Sequence, residues 1–231
     1  MTKSFYFLHM DKTVSLAFDA NIMTQLYDVI GSKGIDVSLN LRHNDHNFWR
    51  PTRDDCFIFS VFRDPIKRSV SEFCYTMMYD TFNEYRAIDI AVKQNTYNIT
   101  MENFEKWLYT EHTSNYQSKT LLGRSDLVWS SNDLNNHLKR IDLLLRTSDL
   151  HQNNQLNFFN HVLDRLNLNT SVLEVPAYYE EGWYDHVGLD FYLKLLSEGG
   201  QLLEDLKHKN KIDLEVWDTN SFFPSGLSSC F

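Results

Sequence analysis

Apolar residues in the first part of the chain form short runs that alternate with amphipathic segments. Residues 4–9 are an apolar and aromatic run, and residues 13–34 then repeat apolar positions three and four apart. Residues 35–41 alternate apolar and polar side chains, which is typical of a half-exposed strand. The pattern predicts a strand, a helix that stops at Gly31 and Gly34, and a second strand.

The most apolar short run of the chain is residues 56–62, which charged residues flank on both sides. A run of this kind is typical of a strand buried on both faces, so we predict it as the central strand of a sheet. Pro65 suits the first turn of a helix, and the apolar stripe that follows predicts a helix to about residue 82.

The rest of the chain continues the alternation after a long polar interruption. Residues 83–140 favour helices and carry no strong strand signal, so we interpret them as a helical cap or insertion. The elements predicted after it are a strand at 141–147, a helix at 150–168 and a long helix at 189–213, interrupted at Gly199–Gly200.

Strands that alternate with helices imply crossover connections and a largely parallel sheet. We therefore predict an α/β fold of three layers in one domain over residues 1–231. Helices flank the central, mostly parallel sheet, and the insertion lies over the carboxyl ends of its strands. Because ligands of such sheets bind beyond those ends, attention falls on residues 9–15, 42–48 and 63–71.

Composition excludes several classes of protein. The formal charge of −9 disfavours nucleic acid as a partner. Three cysteines without metal-type spacing suggest neither a disulfide framework nor a metal site. No apolar run has transmembrane length and no cleavable leader is evident, so we expect a soluble, cytoplasmic protein. The chain also lacks the glycines of a Walker A loop.

Two segments carry chemistry suited to phosphate. Lys12 lies in a predicted strand-to-helix turn, where backbone N–H groups and the helix dipole favour an anion. Arg63 follows the predicted central strand and can contact phosphate in a bidentate manner, while Ser71 offers a hydroxyl about two helical turns later. Taken alone, Lys12 could simply cap a helix and Arg63 could form a structural ion pair. Asp64 is a candidate helix cap, and Arg68 a candidate solvated or salt-bridged residue.

Together these segments resemble the carbohydrate-type sulfotransferases that use 3′-phosphoadenosine 5′-phosphosulfate (PAPS), the family of the heparan and chondroitin 2-O-sulfotransferases and bacterial relatives. The first family motif is similar to H-x-P-K-T-G/A-G/S-T-S, and the matching residues are His9, Lys12, Thr13 and Ser15. The second, R-D-P-x-x-R-x-x-S, is matched in full by Arg63, Asp64, Pro65, Arg68 and Ser71. Residues 115–123, NYQSKTLLG, resemble the family pattern N-x-Q-T-x-x-L-x-G.

The resemblance implies a P-loop-like fold, PAPS as the cofactor and its desulfated form (PAP) as the product. The implied phosphosulfate-binding residues are those of the first loop: Lys12, Thr13, Val14, Ser15 and Leu16. Arg63 and Ser71 are the implied ligands of the 3′-phosphate. The acceptor is a hydroxyl of a carbohydrate, either a glycan or a glycolipid, and no metal is required.

Sulfuryl transfer also needs a base for the acceptor proton, and histidine titrates in the suitable range. His46 and His43 lie 17 and 20 residues before Arg63, in the loop where the resembling enzymes carry their catalytic histidine. We favour His46, with His43 as the other candidate and Lys12 as the cation that stabilises the leaving phosphate. The competing interpretation is that both are ordinary loop histidines.

The first motif departs from the family pattern. Asp11 stands in place of proline, Val14 in place of a small residue, and Leu16 and Ala17 in place of hydroxyl residues. The alternative function is therefore a catalytically degraded relative that binds a nucleotide without turnover. A P-loop-like kinase is a third possibility, against which the missing Walker A glycines argue.

Overall fold

The structure is a computed structural model of the chain. It describes residues 4–8, 24–40, 56–82, 99–122, 141–147, 163–164 and 183–218. The chain divides into two compact units. The sheet unit comprises Met1–Arg63, Gln117–Tyr179 and Val216–Phe231, and the helical unit comprises Asp64–Tyr116 and Glu180–Glu215. The single-domain organisation over residues 1–231 stays a prediction.

The sheet unit contains a four-stranded parallel sheet in the order β2-β1-β3-β4. Its strands are β1 Ser4–Leu8, β2 Asp36–Asn40, β3 Cys56–Phe62 and β4 Leu143–Arg146. Helix α1, Thr24–Ser32, lies between β1 and β2 along the chain, and Gly34 follows it with a φ of 75°, as expected for a glycine helix stop. The α/β class, the parallel pairing and the inner position of β3 are confirmed.

The composition of β3 follows from its position between β1 and β4. Residues on both of its faces are buried, Phe59 and Val61 on one face and Ser60 and Phe62 on the other, as expected for an inner strand of a parallel sheet. The ring of Phe59 stacks on Phe7 of β1 with 4.5 Å between centroids. Ser60 is also fully buried, and its hydroxyl donates a hydrogen bond of 2.6 Å to the carbonyl of Leu8. This bond meets the requirement that a buried hydroxyl has a partner.

The helical unit packs around a cluster of aromatic rings. Its helices are α2 Pro65–Phe82, α3 Met101–Thr110, α5 Trp183–Glu198 and α6 Gly200–Lys209. Two further helices, α4 Tyr116–Leu122 and α7 Lys211–Asp218, contain the boundaries between the units. Phe73 of α2 is fully buried, and its ring centroid lies 5.1 Å from that of Phe104, 5.6 Å from Trp107 and 5.2 Å from Phe191.

The predicted terminal helix is three helices, of which the first begins at Trp183 rather than at residue 189. The predicted interruption is confirmed at Gly199, where an added Cβ would lie 2.2 Å from the carbonyl oxygen of Leu195. A larger residue at position 199 would therefore clash with this carbonyl and change the backbone between α5 and α6. Of the predicted helix at 150–168, the structure describes only residues 163–164, which are helical. In the described ranges, no helix is long and apolar enough to cross a membrane.

Candidate functional site

The strand order places a topological switch point between β1 and β3. From β1 the chain continues to β2, which flanks β1 towards one end of the strand order. From β3 it continues to β4, which flanks β3 towards the opposite end. Leu8 at the end of β1 pairs in register with Ser60 of β3, so both strands leave the sheet at the same edge. Open parallel sheets bind ligands at such a point, beyond the carboxyl ends of the strands. Arg63 is the first residue after β3 at this edge.

Arg63 is half-buried. The side chain of Gln117 forms two hydrogen bonds with its backbone, and we call this pair of bonds the clasp. The Oε1 atom of Gln117 accepts a hydrogen bond of 2.8 Å from the N–H of Arg63. The Nε2 atom of the same amide donates a bond of 2.8 Å to the carbonyl of Arg63. A carboxamide can both donate and accept, so one side chain satisfies the backbone N–H and the backbone carbonyl of Arg63, as a neighbouring strand would. The backbone that carries the Arg63 guanidinium is thereby fixed.

The start of α2 is closed by its own residues. The Oδ1 atom of Asp64 accepts hydrogen bonds from the N–H groups of Ile66, at 2.9 Å, and Lys67, at 3.0 Å. Pro65 occupies the first helical position, where a missing N–H costs nothing. The interpretation of Asp64 as a helix cap is confirmed. Because the cap occupies these two donors, a phosphate near this helix would depend on side chains.

Arg68 is a buried structural residue. Its side chain is 1% exposed, its Nη1 atom lies 3.1 Å from Oε2 of Glu72, and its Cζ atom lies 3.8 Å from the ring centroid of Tyr116. The interpretation of Arg68 as a solvated surface residue is wrong, because an aromatic ring and a carboxylate enclose its guanidinium. The salt-bridged interpretation is confirmed. The motif therefore contains two arginines of different character: Arg68 packs inside the helical unit, and Arg63 lies at the end of a strand.

Ser71 is buried in the helical unit, with 6% of its surface exposed. It lies three residues after Arg68 on α2, and therefore about 60° away around the helix, on the same side. That side is opposite to the one on which Val70 and Phe73 join the aromatic core. Arg63 belongs to the sheet unit and Ser71 to the helical unit, and each is placed within its own unit.

Several predicted site residues lie outside the described residues. They are the phosphosulfate loop and base candidates His9, Lys12, Thr13, Val14, Ser15, Leu16, His43 and His46. Their roles stay predictions. Among the residues that the structure does describe, no group of three or more His, Cys, Asp or Glu side chains is arranged to hold a metal ion.

Sequence reasoning assigned no individual roles within the segment Asn115–Gln117. Asn115 has a left-handed backbone, with a φ of 51°, and its Oδ1 atom accepts hydrogen bonds from the N–H groups of Ile212, at 2.9 Å, and Asp213, at 3.3 Å. It thus caps the start of α7 from a distant part of the chain. The signal that pointed here was the family pattern N-x-Q, which marks Asn115 and Gln117.

Charges near the start of α2 act on an aromatic neighbour within the helical unit. The Nζ atom of Lys67 lies 5.3 Å from the ring centroid of Tyr192 on α5. Burial first, and the negative charge of Asp64 second, raise the pKa of the Tyr192 phenol above its usual value. This phenol therefore keeps its proton to a higher pH than an ordinary tyrosine does.

Comparison with known proteins identifies no relative from which the role of a site residue could be inferred. The chain matches no protein-family model, no curated protein and no solved structure. Within the sheet unit, the candidate site is thus defined by two observations: Arg63 lies at the switch-point edge of a parallel sheet, and the Gln117 amide forms two hydrogen bonds with its backbone.

Proposed function

We propose that this chain is a PAPS-dependent sulfotransferase that acts on a hydroxyl of a carbohydrate. The observation that carries the proposal is the position of the complete R-D-P-x-x-R-x-x-S sequence. It begins at Arg63, where the inner parallel strand β3 ends beside the switch point, and it continues into the first turns of α2. This is the part of an open parallel sheet that binds phosphorylated ligands. The proposed fold is the three-layer, P-loop-like one of that family.

In this proposal the nucleotide is held at both of its phosphate ends. The Arg63 guanidinium binds the 3′-phosphate in a bidentate manner, and the Ser71 hydroxyl donates to the same group. Lys12 and the loop that follows β1 hold the 5′-phosphosulfate. The loop residues assigned to this role are Thr13, Val14, Ser15 and Leu16. Both groups of residues follow strands that pair in register, β1 and β3.

The proposed reaction is an in-line displacement at sulfur. The acceptor hydroxyl oxygen attacks the sulfur while the bond from sulfur to the bridging oxygen of the 5′-phosphate breaks, and its electron pair leaves with PAP. The hydroxyl proton passes to His46, or to His43 if that residue is the base. The positive charge of Lys12 stabilises the negative charge that develops on the leaving phosphate.

Nucleotide binding tests the cofactor assignment. We expect the wild type to bind PAP more tightly than adenosine 5′-phosphate in isothermal titration calorimetry, because only PAP carries the 3′-phosphate. Loss of a charge-assisted contact of about 1.5–3 kcal/mol predicts that Arg63→Ala weakens PAP binding about 10- to 100-fold. Ser71→Ala and Lys12→Ala weaken it as well. The matched control is Lys67→Ala, which removes an exposed positive charge four residues from Arg63 and leaves PAP affinity within about twofold.

Turnover tests the reaction. Transfer of radioactive sulfate from labelled PAPS to a panel of neutral and lightly charged glycans should give a product with the wild type and lose it with His46→Ala or His43→Ala. Selective PAP binding without transfer to any glycan would identify the degraded, nucleotide-binding relative instead. Equal PAP affinity of the wild type and of Arg63→Ala would exclude the proposed nucleotide site.

A further inference from the structure

We infer that Gln117 is a positioning residue for nucleotide recognition, through which the side chain of Arg63 is presented to the 3′-phosphate. This inference rests on the proposed function. It assigns Gln117 a role through Arg63 and no contact with the nucleotide. The contacts that carry it are the two hydrogen bonds of 2.8 Å between the Gln117 amide and the N–H and carbonyl of Arg63.

The position of Arg63 in the sheet explains why such a clasp is needed. The last registered pair of β3 joins Phe62 to Arg146 of β4, and the last registered pair with β1 joins Ser60 to Leu8. Arg63 therefore lies beyond the ladder that holds the rest of β3. The Gln117 amide supplies one further donor and one further acceptor at this residue. These two bonds extend the hydrogen-bonding pattern of β3 by one residue, to Arg63, whose side chain binds the 3′-phosphate in the proposed function.

The amide itself is held rigidly. Gln117 is fully buried in the first turn of α4, and the next residues of that helix, from Ser118 to Leu121, are also buried. Because this stretch of α4 is buried along its length, the carboxamide has a defined position relative to the sheet. Glutamine alone combines this length with a neutral donor and acceptor pair, since glutamate cannot donate when ionised and asparagine is one methylene shorter.

Rigidity of the Arg63 backbone affects affinity, because a small rotation of the backbone displaces the guanidinium at the end of the long side chain by a larger distance. A displacement of about 1 Å in a positioned group can reduce a reaction rate by up to about 100-fold. Binding sites likewise need their groups to be held within about 0.5 Å of the productive geometry. A purely structural amide, by contrast, would affect the stability of the fold and every ligand equally. The measurement that separates the two roles is the preference for PAP over adenosine 5′-phosphate, since these nucleotides differ in the 3′-phosphate alone.

The experiment measures the dissociation constants of both nucleotides by calorimetry, at a temperature well below every unfolding transition. We expect Gln117→Met, which keeps the length of the side chain and removes the amide, to reduce the preference for PAP about tenfold. The matched control is Leu121→Ala on the same helix, which destabilises the packing of α4 without touching the clasp and leaves the preference unchanged. If Gln117→Met does not fold, Gln117→Asn carries the same comparison, because it keeps a buried amide but cannot span both bonds.

A double-mutant cycle tests the route through Arg63. In the Arg63→Ala background, we expect Gln117→Met to have no further effect on the preference, because the group it positions is gone. An unchanged preference in both Gln117 variants, or equal effects in the presence and absence of the Arg63 side chain, would overturn the inference alone. A wild type that shows no preference for PAP would overturn the proposed function, and this inference with it.

Discussion

The guanidinium of Arg68 stacks on the ring of Tyr116, with 3.8 Å between the Cζ atom and the ring centroid. The same guanidinium pairs with Glu72 at 3.1 Å, one helical turn further along α2. An arginine face on an aromatic ring combines cation–π attraction with a large apolar contact. The arrangement joins α2 to Tyr116, the first residue of α4, within the helical unit, and it makes Arg68 a packing residue.

We therefore expect Arg68→Met to lower stability more than it lowers nucleotide affinity. Removing the cation leaves Glu72 without its buried partner, and such a loss costs about 2–3 kcal/mol when the carboxylate keeps partial access to water. Urea unfolding should report this loss in the free energy of unfolding, while calorimetry below the transition should show PAP affinity within about threefold of the wild type.

Arg63→Ala is the matched comparison and is expected to give the opposite result, with a large loss of PAP affinity and a small change in stability. The comparison is sharp because both arginines belong to the same motif. An Arg68→Met protein of normal stability that no longer bound PAP would mean that Arg68 contacts the nucleotide.

The elements that sequence predicted correctly are those with local signals. Strand β3 has seven residues of strongly apolar character between charged flanks, and the start of α2 is marked by Asp64 and Pro65 in adjacent positions. The interruption at Gly199 was visible as a pair of glycines in a long apolar pattern. Each of these features is decided by neighbours within a few residues, which is the range over which capping, turn chemistry and periodicity act.

The features that sequence did not predict depend on long-range contacts. Gln117 meets Arg63 across 54 residues of chain, and no periodicity relates the two. Arg68 lies about 160° around α2 from Val70, on the side where a pattern-based interpretation expects solvent. It is buried because Tyr116 covers it, and that contact is decided by the fold. The first motif and the histidine loop stay predictions because they lie outside the described residues.

Removal of the Asp64 cap of α2 should have a modest effect on the stability of the fold. Asp64→Ala removes the side-chain oxygen that accepts from Ile66 and Lys67, so we expect the free energy of unfolding to fall by about 1 kcal/mol. Asp64→Asn keeps an oxygen at the same place and should recover most of the loss. Thermal unfolding of the two variants measures the difference. Equal destabilisation by both substitutions would mean that the negative charge, rather than the hydrogen-bonding oxygen, supports the helix.

Asn115 combines two roles that substitution can separate. Its side chain caps α7, and its backbone has a φ of 51°, a region that glycine adopts freely and alanine does not. Asn115→Gly should therefore lose the cap alone, at a cost of about 1 kcal/mol. Asn115→Ala should lose the cap and also carry about 1 kcal/mol of backbone strain. Urea unfolding of the two variants side by side gives the two contributions, and equal stability of the variants would contradict the strained backbone.

Because the thiol of Cys74 is buried, we expect the stability of the fold to depend on pH in the alkaline range. Burial raises the pKa of its thiol from 9.0 to about 12, because the thiolate would lack the solvation it has in the unfolded chain. Above pH 9 the unfolded state loses this proton and the folded state keeps it, so stability falls as pH rises towards 12. From these pKa values, the group removes about 1.4 kcal/mol of stability between pH 8 and pH 10.

The measurement compares the wild type with Cys74→Ala by urea unfolding at pH 8, 9 and 10. Every other titrating group contributes equally to both proteins, so the difference between the two curves isolates the thiol. We expect the variant to be less stable at pH 8, because it leaves a small cavity beside Phe73 in the aromatic core, and we expect this deficit to shrink by about 1.4 kcal/mol at pH 10. Parallel curves would mean that the thiol titrates alike in both states. Such a result would require access of water to the centre of the core that Phe73, Phe104 and Trp107 enclose.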